Sequence, residues 1–153
     1  MITAHVESFE AVLDELKPLL PTHWQELALD KDEVPLDPQY DYYIKSEHLG
    51  QLMFITLREV GALAGYFIGF VAPGLHYKTC LTLHCDIWYV WPANRGNGAG
   101  AVLLDAVEKE AKRRGVQRMF VGTKLHKDSG WLLQRLGYQE VERTFSKTFF
   151  GSR

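Results

Sequence analysis

Cysteine is scarce in this sequence: Cys80 and Cys85 are the only two. They lie five residues apart in a strand-like run, an odd spacing that puts them on opposite faces and keeps them from bridging each other. A disulfide scaffold is thereby excluded, and free thiols in a reducing, cytoplasmic setting are expected. Excess charge is also missing. Net charge is -2, which gives no support to a nucleic-acid partner. No apolar run approaches the roughly 18 residues that a membrane span needs, so no membrane partner is expected. Residues 1–10 mix charged and apolar side chains and do not follow a signal-peptide pattern. There is no internal repeat and no low-complexity tract. His84-x-Asp86 and His126-x-Asp128 lack a third ligand at a known metal spacing, and no metal is expected.

What remains is ordinary globular material, 46% hydrophobic and 24% charged over 153 residues, a length that fits one domain spanning 1–153 with a core of its own. Residues 8–20 place Phe9, Val12, Leu13, Leu16 and Leu20 at helical spacing, with Ser8 as cap and Pro18 as the break. Residues 21–44 are acidic, interrupted by prolines, and read as a loop or a short-helix region. Residues 52–57 and 63–71 read as a hairpin closed by 58–62, and 79–90 as a long strand stopped by Pro92. A helix is predicted over 99–114, with Leu103, Leu104, Val107 and Ala111 as its apolar stripe and Gly115 closing it. Then follow a buried strand over 116–123, a short helix over 129–136 and an alternating final strand over 139–149. That order gives a mixed α/β sheet.

The most informative feature sits between the long strand and the long helix: Arg95-Gly96-Asn97-Gly98-Ala99-Gly100. Glycines let a backbone approach an anion without side-chain interference, and N–H groups at a helix start attract it. A phosphate or pyrophosphate is the natural guest. Ala99-Gly100-Ala101 is not the Gly-Lys-Ser/Thr ending of a P-loop. A dinucleotide fingerprint can be laid over Gly96, Gly98 and Ala101. It comes late in the chain, however, and the next strand runs into Thr123-Lys124 without an acidic residue.

Residues 89–100, followed by Val102-Leu103-Leu104, resemble the signature of the GNAT acetyltransferases: an Arg or Gln, two residues, Gly, one residue, Gly or Ala. Arg95, Gly98 and Gly100 match in register. Glu59-Val60-Gly61 to Gly65-Tyr66 is similar to the family's second hairpin, and Leu136-Gly137-Tyr138 to its Leu-Gly-Phe/Tyr turn. His76-Tyr77-Lys78-Thr79-Cys80-Leu81 also resembles acetyltransferase-like proteins of tailed phages. The resemblance implies an α/β (α+β) GNAT fold: a mixed central sheet, helices on both faces and splayed central parallel strands. It implies acetyl-CoA as cosubstrate. Contacts fall to Ile87, Trp88, Tyr89 and Val90 on the first of those strands, to Arg95, Gly96, Asn97, Gly98, Ala99, Gly100 and Ala101 in the loop, and to Leu133.

The implied reaction is direct attack of an amine on the thioester, which calls for a base, an acid for the departing thiolate and a donor to the carbonyl oxygen. His84 and Asp86 share a strand face and are the candidate bases; imidazole titrates near neutrality, whereas a carboxylate works through a raised pKa or a water relay. Many relatives carry their acid, a tyrosine, where this chain has Leu133, so His126, Tyr138 or solvent stands in, with His126 preferred. Residues 30–41 with Trp24, Tyr40, Tyr42 and Tyr43 combine carboxylates and aromatic faces, which suits a cationic acceptor: a polyamine, an aminoglycoside-like amine or a lysine. The second reading is an acyl-CoA-binding protein of the same fold that has lost catalysis. A homodimer stays open.

Overall fold

Ser8 caps the first helix as its position implies: its hydroxyl accepts from the Ala11 N–H at 3.2 Å. Helix α1 (Phe9–Leu16) buries Phe9, Val12, Leu13 and Leu16. Pro18 falls in a 3₁₀ turn, Lys17–Leu19, where its missing N–H and its ring end the α-helix. Pro21 ends nothing. It lies in the first turn of α2 (Leu20–Leu27), where no intrahelical bond is lost. Helix α3 (Tyr40–His48) begins just beyond Pro38. The region 21–44, expected to be a loop or short helices, contributes most of α2 and the start of α3, with Pro21 and Pro38 at the helix entrances.

The computed structural model describes residues 1–150. Its sheet has five strands in the order β1-β2-β3-β4-β5: β1 (Ile2–Val6), β2 (Leu52–Glu59), β3 (Ala62–Pro73), β4 (Leu81–Val90) and β5 (Arg118–Phe120). The first four pair antiparallel and β4 pairs with β5 in parallel. Strand β1 has no counterpart in the sequence reading. It is an edge strand in which only Ile2 and Ala4 are partly buried, too short an alternation to read. The β2–β3 hairpin turns through Val60 and Gly61, at φ 51° and 81°, the double left-handed geometry that matches strand twist.

Two expectations are corrected at the other end of the chain. The strand expected over 116–123 shrinks to Arg118–Phe120, because only Thr82, Leu83 and His84 of β4 meet it. No strand forms over 139–149. Val141, Phe145 and Phe149 lie 65%, 89% and 82% exposed, so the alternation buries no apolar face.

Helices cover both faces. Helix α4 (Ala99–Arg113) lays Leu103, Leu104, Val107 and Ala111 over Met53, Ile55, Leu57, Phe67 and Leu83. A buried leucine contributes about 1.5–3 kcal/mol, so this stripe fixes the helix on the sheet. Helix α1 packs the opposite face with Phe54, Tyr66, Ile68, Tyr89 and Trp91. The short α5 (Gly130–Arg135) sends Leu133 into the α4 core. No described helix is long and apolar enough to cross a membrane.

Candidate active site

The two parallel strands part almost as soon as they meet. Pairing ends at His84↔Phe120, yet β4 runs on to Val90, so its residues 85–90 have a strand partner on one edge only, toward β3. The Trp88 indole N–H crosses the opening and donates to the Gly122 carbonyl at 3.0 Å. On the β3 side, Ile68 pairs with Ile87 and Gly69 with Cys85, which leaves Asp86 as the extra residue of a bulge. A bulge interrupts the ladder and re-aims side chains. Cys85 accordingly packs with the α4 core and Ile87 with the α1 core.

A cleft of about 1440 Å³ follows this opening. Ile87, Trp88, Tyr89 and Val90 form one wall, and Gly96, Gly98, Ala99, Gly100 and Ala101 form one end. Gly98 caps α4 with φ +78° and Gly96 has φ +96°. A methyl placed on either meets no protein atom within 4 Å, so both present open backbone. The first helical bond of α4 runs from the Val102 N–H to the Gly98 carbonyl at 3.0 Å. The N–H groups of Ala99, Gly100 and Ala101 therefore precede any intrahelical acceptor and point out of the helix start, where an anion is favoured. Gly100 is small for a second reason: a Cβ there would lie 2.8 Å from Leu132 Cδ2 on α5. Asn97 is exposed and does not line the cleft.

Arg95 is already matched within the protein. Its Nε donates to the Val90 carbonyl at 2.8 Å, one terminal nitrogen lies 2.9 Å from both Glu26 oxygens, and the guanidinium sits 5.2 Å from the Tyr89 ring centre. The Tyr89 hydroxyl donates to the same carboxylate at 2.7 Å. Burial opposes the Glu26 charge, but the hydrogen bonds from Tyr89 and Arg95 outweigh it and hold the carboxyl below its usual range. Burial and Glu26 together push the Tyr89 hydroxyl up to about 12. Arg95 thus braces α2 against the loop, and the loop's attraction for an anion rests on its backbone. Lys124, Lys127, Arg135 and the 64%-exposed Trp131, on or beside α5, add basic and aromatic surface to the cleft.

The candidate catalytic residues separate. Asp86 lines the cleft and accepts from the Tyr43 hydroxyl at 2.6 Å. Burial and the Asp86 contact push the Tyr43 hydroxyl well above its ordinary value, so it stays a donor. His84 does not line the cleft; its ring lies against Phe120 at 5.1 Å and 14°. His126 is exposed and outside the lining, its Nε2 3.1 Å from the Leu27 carbonyl, where it clips the segment before α5 to the end of α2. Leu133 is buried in the core, while its neighbours Leu132 and Leu136 reach the cleft. Tyr138 donates to Glu108 at 3.2 Å, away from the cleft. Among the described residues no three His, Cys, Asp or Glu side chains converge as a ligand set.

Sequence reasoning missed His23, Glu26 and the role of Tyr43. His23 and Glu26 are one helical turn apart, a spacing that carries meaning only once α2 is seen as a helix. Trp24, Asp37, Tyr40 and Tyr43 of the acidic, aromatic stretch do line the cleft, whereas Tyr42 does not.

Solved structures share this architecture at low identity. The ribosomal-protein-alanine N-acetyltransferase of Brucella melitensis biovar Abortus 2308 superposes with a TM-score of 0.72 at 18% identity, covering 99% of this chain and 100% of its own. AAC(6')-Iy, solved with the bisubstrate analogue CoA-S-monomethyl-acetylneamine, gives 0.67 at 16%, covering 97% and 98%. A predicted acetyltransferase of Clostridium acetobutylicum, solved with acetyl-CoA, gives 0.66 at 19%, covering 97% and 96%. No curated protein is significantly similar in sequence. The family model for the acetyltransferase (GNAT) family matches residues 9–138, and with splayed parallel strands leading to a glycine-rich helix start, the chain belongs to that family.

Proposed function

We propose that this protein moves an acetyl group from acetyl-CoA to a primary amine by direct attack of the amine on the thioester. The observation that carries the reading is the opening between β4 and β5, which leaves one edge of residues 85–90 without a strand partner and ends on the bare N–H groups of Ala99, Gly100 and Ala101. A pantetheine arm fits such an edge as a short strand would, and a pyrophosphate fits the helix start. Bound there, acetyl-CoA supplies the activated acyl group.

Among the candidate bases, Asp86 has the better position. It stands at the bulge, in the cleft, with Tyr43 fixing one carboxylate oxygen and leaving the other for an amine or a relaying water. The edge of β4 beyond His84 has no strand partner toward β5, so its backbone N–H groups can polarise the thioester carbonyl. No side chain of this chain is assigned as acid, because His126, Leu133 and Tyr138 all stand outside the cleft. The departing thiolate, like cysteine with a pKa of ~8.5, leaves without one near neutrality. Two of the structural relatives, one named as a ribosomal-protein-alanine N-acetyltransferase and another as an aminoglycoside acetyltransferase, support an amine acceptor here. The test is a screen of amines with acetyl-CoA, following free thiol. Release that depends on a particular amine supports transfer; acetyl-CoA binding without release from any amine supports the second reading, a non-catalytic acyl-CoA binder.

A further inference from the structure

His23 is 3% exposed, and its Nε2 is the one buried side-chain nitrogen or oxygen among the described residues with no hydrogen-bond partner. The ring is held firmly. It stacks on Tyr89 with centroids 4.0 Å apart and planes 10° from parallel, and its Nδ1 lies 2.5 Å from the Tyr66 hydroxyl oxygen.

Tyr66 is 1% exposed, and among the described residues its hydroxyl meets no polar group except His23. A buried hydroxyl proton needs an acceptor, and Nδ1 is the one within reach. Donation from the Tyr66 hydroxyl to Nδ1 satisfies that hydroxyl and puts the ring's own proton on Nε2. Burial keeps the imidazole neutral by lowering its pKa to about 4. A neutral ring protonated on Nε2 is no base toward the cleft. It is a preorganised donor, and what it lacks is an oxygen.

His23 also lines the cleft, together with Tyr43 and Asp86. Resting on the transfer reading above, we propose that His23 determines acceptor specificity: its Nε2–H donates to a hydroxyl or carbonyl oxygen of the acceptor, so the protein selects oxygen-bearing amines over bare alkylamines and polyamines. A site built to hydrogen-bond an oxygen rejects the analogue that lacks it, because its own polar group is then left buried and unpaired.

The test uses the full chain saturated with CoA and a panel of matched amines, each oxygen-bearing amine set against its deoxy counterpart, 1,3-diamino-2-propanol against 1,3-diaminopropane among them. Calorimetry should show at least one oxygen-bearing amine binding about tenfold or more tighter than its partner. His23→Phe, which keeps a ring on Tyr89 and removes both nitrogens, should bring that pair within about twofold. Nitrogen NMR of the wild type, which needs no variant, should find the His23 proton on Nε2 at pH 7 and its resonance shifted by the preferred amine. A proton on Nδ1 would overturn the proposal. So would a preference that survives His23→Phe, or an Nε2 proton that no amine moves because a buried water holds it. Thiol release measured in parallel with acetyl-CoA keeps the two readings apart: preference without release removes acetyl transfer alone, and release without preference removes His23 alone.

Discussion

Gly98→Ala separates strain from ligand obstruction. Gly98 has φ +78° and ψ +15°, and a methyl built there finds no protein atom within 4 Å. The folded protein therefore suffers only the intrinsic penalty of a left-handed L-residue, about 1–2 kcal/mol. At about 2–4 °C per kcal/mol for a domain of this size, Tm should fall by about 2–8 °C. The same methyl projects into the cleft end where the α4 N–H groups await an anion, so CoA should bind more than tenfold more weakly, a loss of about 1.4 kcal/mol or more. Gly115→Ala is the control. Its φ is +82° and its surroundings are equally open, but it closes the far end of α4 and does not line the cleft. It should lose similar thermal stability and keep its CoA affinity within about twofold. Thermal unfolding and calorimetry on the three proteins decide the matter. A folded Gly98→Ala protein with wild-type CoA affinity refutes the assignment of the loop.

Asp86→Asn should lower kcat by about 10²-fold or more while CoA affinity stays within about twofold, and His84→Ala should change kcat by less than about threefold; steady-state kinetics on the best amine checks both. Leu133→Tyr, which would restore the family's usual acid by position, instead forces a ring into the α4 core, so it should cost about 1–3 kcal/mol in thermal unfolding and bring no gain in turnover. Glu110, 6% exposed, takes hydrogen bonds from Arg113 and Arg114, and those guanidiniums hold its carboxyl down at about 2. A carboxyl lowered by folding stabilises the protein above its ordinary pKa and stops doing so as pH falls through the folded value. Glu110→Gln should therefore melt below wild type at pH 7, and the two melting curves should converge between about pH 5 and pH 2.

The parts of the fold that were legible in the sequence are those whose signal is local. The α4 stripe, the β2–β3 hairpin and the glycine loop each carry periodicity or turn chemistry within a few residues. Strand β1 was not legible, because two half-buried positions cannot establish an alternation. Residues 139–149 misled in the opposite direction: alternation of apolar and polar residues does not by itself supply a paired edge. Proline was read as a breaker throughout 21–44, and at Pro21 it stands where a helix tolerates it. The short helix allowed there had no bounds, so the placement of His23 and Glu26 one turn apart was not visible. The separation of Asp86 from His84 was hidden as well, since two residues on one strand face look equivalent until a bulge turns Asp86 into the cleft and His84 stacks on Phe120 outside it. The burial of Leu133 depends on how α5 rotates against α4, a tertiary property that spacing does not encode.

The central claim is that the loop from Gly96 to Ala101 and the open edge of β4 form a seat for CoA. Calorimetry of the wild-type protein with acetyl-CoA, CoA and NAD tests it directly. The account predicts one-to-one binding of acetyl-CoA and CoA, with a melting temperature that rises with ligand concentration, and little or no heat with NAD. Tight binding of NAD with none of either CoA species would contradict it and return the glycine loop to a dinucleotide-binding role.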